Sequence, residues 1–129
     1  MKGNGDAARG WLAKGESDLT AAELCVEANR ALDADCFHSQ QAAEKFLKAW
    51  LIAHETEFPF VHDLQRLLSL CAGIDPLFAA AEAEALLLTP FAVEMRYSAS
   101  LWPSHSEPTA ALAAARRVPQ LVMDRWQTV

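Results

Sequence analysis

Residues 36–54, CFHSQQAAEKFLKAWLIAH, decide the fold of this chain. Most of these residue types favour helix, and the apolar ones recur three or four positions apart, which is the spacing of one helix face. They form two neighbouring rows, Ala43, Leu47, Trp50 and His54 in one and Ala42, Phe46, Ala49 and Ala53 in the other. A face this wide is typical of a core helix, so the sequence predicts a central helix around which the others are organised.

The predicted central helix also carries polar residues. Gln40 and Glu44 lie one turn apart at the border of its apolar face. A polar group in such a place needs a hydrogen-bond partner, so the pair indicates either a site or two solvated border residues. Gln41, Lys45 and Lys48 are expected on the opposite side of the helix.

The composition is that of one soluble, helical domain. The chain has 129 residues, of which 52% are apolar and 22% charged, and alanine is frequent while strand-favouring residues are few. We therefore expect an all-α fold over residues 1–129, with about residues 1–6 disordered. The net charge of −6 argues against non-specific nucleic-acid binding, which needs a broad basic surface.

Three cysteines, Cys25, Cys36 and Cys71, lie in apolar contexts, and no two of them have the spacing of a zinc site. We expect reduced thiols in a cytoplasmic protein. No apolar run approaches the ~18 residues of a membrane span, and the N-terminus lacks a signal-peptide pattern. Neither membrane association nor secretion is expected.

Helix-start and helix-stop residues divide the chain into five helices. The first is expected over residues 7–31, and the central helix follows with Asp35 as its N-cap. Because their connection is short, these two helices should be antiparallel neighbours. A third helix is expected to be capped by His62 or Asp63 and to end at Gly73. A fourth should run from Asp75-Pro76 to Thr89-Pro90. The last helix is expected over residues 109–126, where Pro119 should kink it or split it in two.

Residues 98–108, SASLWPSHSEP, are the one long irregular connection between predicted helices, and such loops often carry function. Arg96 and Tyr97 precede it. Arginine offers a planar fork for phosphate or carboxylate, and the rings of Tyr97 and Trp102 suit stacking on a base. The alternative is structural, with Arg96 paired to Glu44 or Asp18 so that it closes the bundle.

Asp18 interrupts an apolar stripe of the first helix. A carboxylate in that position is either partly buried and paired with a basic group from another helix, or a solvated border residue. The spacing leaves both interpretations open.

Recognisable catalytic and metal motifs do not account for the polar residues. The histidines His38, His54, His62 and His105 include no pair with the spacing of a helical zinc site, and the chain has neither a GxSxG motif nor a glycine-rich phosphate loop. No metal and no cofactor are expected. The polar residues left to explain are Asp18, Gln40, Glu44, Lys45, Lys48, His62, Arg96, Tyr97 and His105.

Three segments together resemble the HEPN domain family: SQQAAEKFLKA (39–49), FPFVHDLQRLL (58–68) and LTPFAVEMRY (88–97). The resemblance covers nearly the whole chain. It implies a five-helix, up-and-down, four-helix-bundle-like fold that is often a homodimer. The resemblance also implies that the protein acts together with a separately encoded minimal nucleotidyltransferase, as many members do, or binds a nucleotide, as is proposed for some.

Other members of the family are metal-independent ribonucleases that act as toxins through an arginine and a histidine four to six residues apart. Here Arg96 and His105 have eight residues between them, Trp102 and Pro103 included, so one helix does not place both on the same face. Tyr97 is followed by Ser98, where many non-nuclease relatives have a proline. The resemblance therefore favours a protein that is not an enzyme.

Three hypotheses follow. The first is a nucleotide-binding module whose cleft lies between the central helix and residues 97–108. The second is an interaction protein that pairs with itself and with a nucleotidyltransferase. The third is a ribonuclease in which His105 is the general acid or base and Arg96 stabilises the phosphate. The candidate ligand-binding residues are Asp18, Gln40, Glu44, Lys45, Lys48, His62, Arg96, Tyr97 and Trp102.

Overall fold

The structure, a computed structural model, describes residues 2–92, 102–104 and 106–126. Over these residues it contains no strand and five α-helices: α1 (Lys2–Ala28), α2 (Leu32–Ala53), α3 (Leu64–Ile74), α4 (Glu82–Leu88) and α5 (Glu107–Asp124). Two 3₁₀ segments flank α4, Pro76–Ala81 before it and Thr89–Ala92 after it. The predicted all-α, five-helix fold is confirmed.

Helix α2 lies at the centre of the molecule. It packs most extensively against α1, then against α5 and α3. Phe46, Leu47 and Trp50 are buried from this helix. They join a core to which the other elements contribute Leu64, Leu67, Cys71, Phe78, Leu88, Val118 and Val122. The predicted role of residues 36–54 as the organising helix agrees with this arrangement.

Helices α1 and α2 are antiparallel, as predicted. Near the middle of α1, Asp18 contacts Lys45, and one turn earlier Gly15 faces Phe46. A Cβ atom built at Gly15 would lie 2.6 Å from Cδ2 of Phe46, so the absence of a side chain lets the two helices approach closely. The reversal between the helices uses left-handed backbone at Asn29 and Ala31, with φ of 53° and 52°.

The C-terminal end of α5 is fixed to the core by polar contacts. The Trp50 Nε1–H donates to the Arg125 carbonyl at 3.3 Å, and the Arg125 Nε–H donates to Asp75 Oδ2 at 2.6 Å. This hydrogen bond from Arg125 holds the pKa of Asp75 below its ordinary value. The Trp50 and Phe78 rings pack edge to face, with their centroids 4.6 Å apart. Pro119 is buried inside α5, which continues through it as one helix and is not split in two.

Two of the predicted caps are confirmed. The Asp63 carboxylate accepts from the Gln65 N–H at 2.9 Å at the start of α3. Asp75 accepts from the Leu77 N–H at 3.2 Å at the start of the first 3₁₀ segment. Both agree with the rule that a short acidic side chain satisfies the first backbone N–H groups of a helix.

Other helix ends differ from the predictions. Helix α1 begins at Lys2 and not at Ala7, and α3 continues past Gly73 to Ile74. Helix α2 begins at Leu32 because the left-handed Ala31 completes the reversal early. Asp35 is therefore not an N-cap: it lies inside α2 and is fully buried.

The cysteines are all unpaired thiols. Cys36 and Cys71 are buried, and desolvation raises the pKa of each thiol to about 12, so both remain neutral. Cys25 is half-buried. A thiol that stays protonated is a poor nucleophile, which makes Cys36 and Cys71 structural residues.

None of the helices in the described part of the chain is long and apolar enough to cross a lipid bilayer.

Candidate functional site

The Asp18 cluster, formed by Asp18, His38 and Lys45, joins the middle of α1 to α2. Asp18 Oδ1 accepts from His38 Nδ1 at 2.7 Å, and Asp18 Oδ2 accepts from Lys45 Nζ at 2.5 Å. Asp18 is only 8% exposed. Of the two interpretations of Asp18, the structure confirms the partly buried carboxylate paired with basic groups of another helix.

A second set of polar side chains, the α2 polar row, consists of Gln40, Glu44 and Lys48. These residues are four positions apart, so they lie one above another on the helix, and all three are buried. Gln40 Nε2 donates to Glu44 Oε1 at 3.0 Å, and Lys48 Nζ donates to Glu44 Oε2 at 3.0 Å. The border pair Gln40–Glu44 is thus a buried, hydrogen-bonded pair and not two solvated residues.

The Gln40 amide is fully used. Its second N–H donates to the His62 carbonyl at 3.1 Å, and its oxygen accepts from Gln41 Nε2 at 2.7 Å. His62 in turn donates from Nδ1 to Glu44 Oε1 at 3.0 Å. The α2 polar row therefore holds the segment that leads into α3.

Two aromatic rings enclose the end of the α2 polar row. Lys48 Nζ lies 5.5 Å from the centre of the Trp11 ring and 5.6 Å from the centre of the Phe58 ring. The negative face of an aromatic ring attracts an ammonium group, most strongly where water is displaced. These rings and the Glu44 carboxylate together compensate the burial of Lys48.

The prediction that Gln41, Lys45 and Lys48 lie on an opposite, outer side of α2 is wrong. Lys48 is 5% exposed, and Gln41 and Lys45 are half-buried. The physical reason is that α1 and the segment around Phe58 cover the side of α2 that does not face the main core. The spacing of four between Glu44 and Lys48 was the signal that placed Lys48 in line with the buried pair.

The charges of these residues balance locally. Lys45 is paired with Asp18, and Lys48 is paired with Glu44. Each ammonium group thus already has a carboxylate at hydrogen-bond distance. An incoming phosphate would have to compete with that carboxylate and would place a second negative charge beside it in a buried position, which is costly.

Asp35 is a buried residue that the sequence interpretation missed. One of its oxygens, Oδ1, accepts from Ser39 Oγ at 3.3 Å, while Oδ2 has no hydrogen-bond partner among the described residues. Burial raises the pKa of Asp35 to about 7, against the smaller, lowering effect of the Ser39 hydrogen bond. Extending the apolar rows of α2 back by one turn, through Ser39, would have placed Asp35 on the buried face.

Several predicted site residues are not brought into this arrangement. Arg96, Tyr97 and His105 lie outside the described residues. Trp102 is described and is 69% exposed. The proposed structural partners of Arg96, Glu44 and Asp18, already make hydrogen bonds to other groups.

We searched residues 2–92, 102–104 and 106–126 for side chains that could form a metal site. Within them, no group of three or more histidine, cysteine, aspartate or glutamate side chains is arranged so that it could hold a metal ion. What the arrangement does chemically is to pair buried charges and to fasten three parts of the chain, α1, α2 and the segment before α3, to one another.

A central helix with two internal polar groupings, inside a five-helix bundle, defines the class of protein. The HEPN domain model matches residues 8–126, and the chain therefore belongs to the HEPN family.

Two solved structures share the fold. TT1696 from Thermus thermophilus superposes with a TM-score of 0.80, at 22% identity, over 92% of this chain and 97% of that one. ST0689, an archaeal HEPN homologue, superposes with a TM-score of 0.73, at 22% identity, over 92% of this chain and 96% of its own. No curated protein matches the sequence significantly.

Proposed function

We propose that this HEPN domain is a protein-interaction module that pairs with a second copy of itself and with a separately encoded minimal nucleotidyltransferase. One observation carries the proposal. The two lysines predicted to attract a phosphate, Lys45 and Lys48, are each committed to a carboxylate within the bundle. The polar groups of α2 thereby act as fasteners of the fold, and the domain acts through its outer surfaces.

Those outer surfaces offer apolar side chains to partners. Leu24 on α1 and Met123 on α5 are 59% and 42% exposed, and Phe60 is fully exposed. Exposed apolar groups that gather into a patch mark contact sites between proteins. Helices α1 and α5 border a groove in which Leu24, Val26 and Leu112 lie beside the charged residues Glu23, Glu27 and Arg116, and this mixed lining supports a contact along that side.

The test is co-expression of this chain with a small nucleotidyltransferase encoded beside its gene. We expect the two proteins to elute as one complex in size-exclusion chromatography with light scattering, with more than one copy of the HEPN chain per complex. Separate elution of both proteins at micromolar concentration would contradict the partnership, and a monomeric HEPN chain would contradict self-pairing.

Nucleotide binding and ribonuclease activity remain predictions, and both can be tested with the purified chain. A nucleotide at about 100 times its dissociation constant should stabilise the fold by about 2.7 kcal/mol, or about 10 °C in Tm. Such a shift, lost in Arg96→Ala, would replace the interaction module by a nucleotide-binding one. RNA degradation in EDTA, abolished by Arg96→Ala and by His105→Ala, would establish the ribonuclease instead.

A further inference from the structure

We propose that the turn at Phe60 is the surface on which the nucleotidyltransferase partner docks, and that the partner offers there an apolar pocket rimmed by lysine or arginine. This inference rests on the proposed function, because it locates one of the contacts that the function requires. The Phe60 surface is the shallow groove lined by Ile52, Glu55, Thr56, Glu57, Phe58 and Phe60.

The backbone projects Phe60 away from the protein. The Val61 N–H donates to the Pro59 carbonyl at 2.9 Å, which closes a three-residue turn with Phe60 at its centre. Pro59 restricts the backbone on one side of this turn. The Phe60 ring is as exposed as in an extended chain, with a relative exposure of 105%.

The segment on either side of Phe60 is fastened to the bundle. Before the turn, the Thr56 N–H donates to the Leu51 carbonyl at 2.9 Å, and the Phe58 ring lies against Lys48. After it, His62 is held by Glu44 and its carbonyl by Gln40. A fully exposed aromatic ring thus stands on a segment with fixed ends. Such an anchor loses little conformational freedom on binding, which is how the strongest contacts of protein interfaces are built.

Charge indicates the chemistry of the partner. Glu55 and Glu57 flank the groove beside Phe60, and residues 49–65 contain no lysine and no arginine. A partner with basic groups around its pocket would be attracted to this surface and oriented by it. A second copy of the chain is disfavoured, because a two-fold contact through this groove would place the acidic side chains of both copies in one interface with no lysine or arginine from residues 49–65 to balance them.

The experiment measures the Kd for the nucleotidyltransferase by isothermal titration calorimetry, and it compares three variants of the chain with the wild type. Phe60→Ala removes the ring, and Glu57→Lys reverses one charge of the groove. Leu86→Ala is the matched control, since Leu86 is also an exposed apolar residue but lies on α4. Because these side chains lie at the surface, all three variants should keep the helical circular dichroism and Tm of the wild type.

We expect Phe60→Ala to raise the Kd at least tenfold and Leu86→Ala to change it less than twofold. Glu57→Lys should raise the Kd mainly at low salt, where charge attraction is least screened. An unchanged Kd in Phe60→Ala would overturn the docking surface while the proposed function stands. Failure of the wild type to bind the nucleotidyltransferase would overturn both. Loss of self-association in Phe60→Ala, seen by sedimentation velocity with nucleotidyltransferase binding unchanged, would show a contact between copies and overturn the inference.

Discussion

Asp35 makes the stability of this bundle depend on pH. Its carboxyl group is fully buried, and its pKa is about 7 in the folded state against 3.8 for an ordinary aspartate. Between these values the folded chain holds a proton that the unfolded chain has lost. The free energy of unfolding therefore falls as the pH rises from about 4 to about 7, by about 4 kcal/mol in total.

Replacing Asp35→Asn should remove this dependence. At pH 8 the variant is expected to be more stable than the wild type by up to about 4 kcal/mol, because the buried negative charge is gone. Near pH 4 the two proteins should differ much less, since the wild-type group is protonated in the fold. Urea unfolding at both pH values measures the effect.

Asp33→Asn is the control for Asp35, because it removes a carboxylate from the same first turn of α2. A stabilisation at pH 8 that Asp33→Asn reproduces in full would assign the effect to charge at the helix start and not to the burial of Asp35.

The pair Glu44–Lys48 leads to a prediction of opposite sign. Glu44→Gln leaves the ammonium group of Lys48 buried without its carboxylate, which should destabilise the fold by about 3 kcal/mol. The exposed pair Glu23–Arg116 provides the comparison, and Glu23→Gln should cost less than about 1 kcal/mol. Equal losses in urea unfolding would show that burial adds nothing to the Glu44–Lys48 interaction.

At the scale of the helix, the approach of α1 to α2 depends on Gly15. Gly15→Ala places a methyl group 2.6 Å from the buried Phe46 ring, so the ring or the helix must shift, and we expect a loss of about 1 to 3 kcal/mol. Gly10, also on α1, has open space where its Cβ would be. Gly10→Ala should therefore stabilise the helix by up to about 1 kcal/mol. Thermal unfolding of the two variants distinguishes these signs, and a gain in both would mean that α1 does not need the close approach.

The helix starts show which boundaries a sequence determines. Asp63 and Asp75 cap their helices through bonds to residues two positions away, so the necessary information is local. Helix α2 instead begins after Ala31, which has left-handed backbone although alanine is not among the residues that favour it, so the sequence gives no signal for this helix start. The sequence therefore predicts a cap at Asp35, an acidic residue before an apolar run, although the helix has already begun at Leu32.

The candidate site was predictable in part for a related reason. Helical spacing alone decides which residues share a face, so the sequence predicts that Asp18, Gln40 and Glu44 lie on or beside an apolar face, but it leaves open whether they are buried and paired or solvated. It did not reveal that Lys48 is buried. Whether the outer side of a helix meets water depends on which other segments fold over it, and Trp11 and Phe58 are distant in sequence.

At the scale of the whole molecule, the central position of α2 predicts a gradient of local stability. Its backbone hydrogen bonds are covered by α1, α3 and α5, whereas residues 5–7 near the start of α1 are exposed or half-buried. In native-state hydrogen exchange, amides of residues 42–51 should exchange most slowly and those of residues 5–9 most rapidly among the helices. Equal protection of the two segments would contradict a fold organised around α2.

The buried polar groups also help to fix how α1 is aligned along α2. Ala-rich helix faces are nearly uniform, so the alanines of α1 and α2 do little to fix the alignment of the two helices, and Gly15 against Phe46 fixes it at one point only. In a shifted alignment, however, Asp18 would leave Lys45, and Trp11 would no longer cover Lys48. Each such mismatch leaves a buried charge without its partner. The free energy of the incorrect alignments is therefore raised far more than that of the correct one is lowered. Asp18, Glu44 and Lys48 thus act together with the fit of Gly15 against Phe46 to select a single register of the two helices.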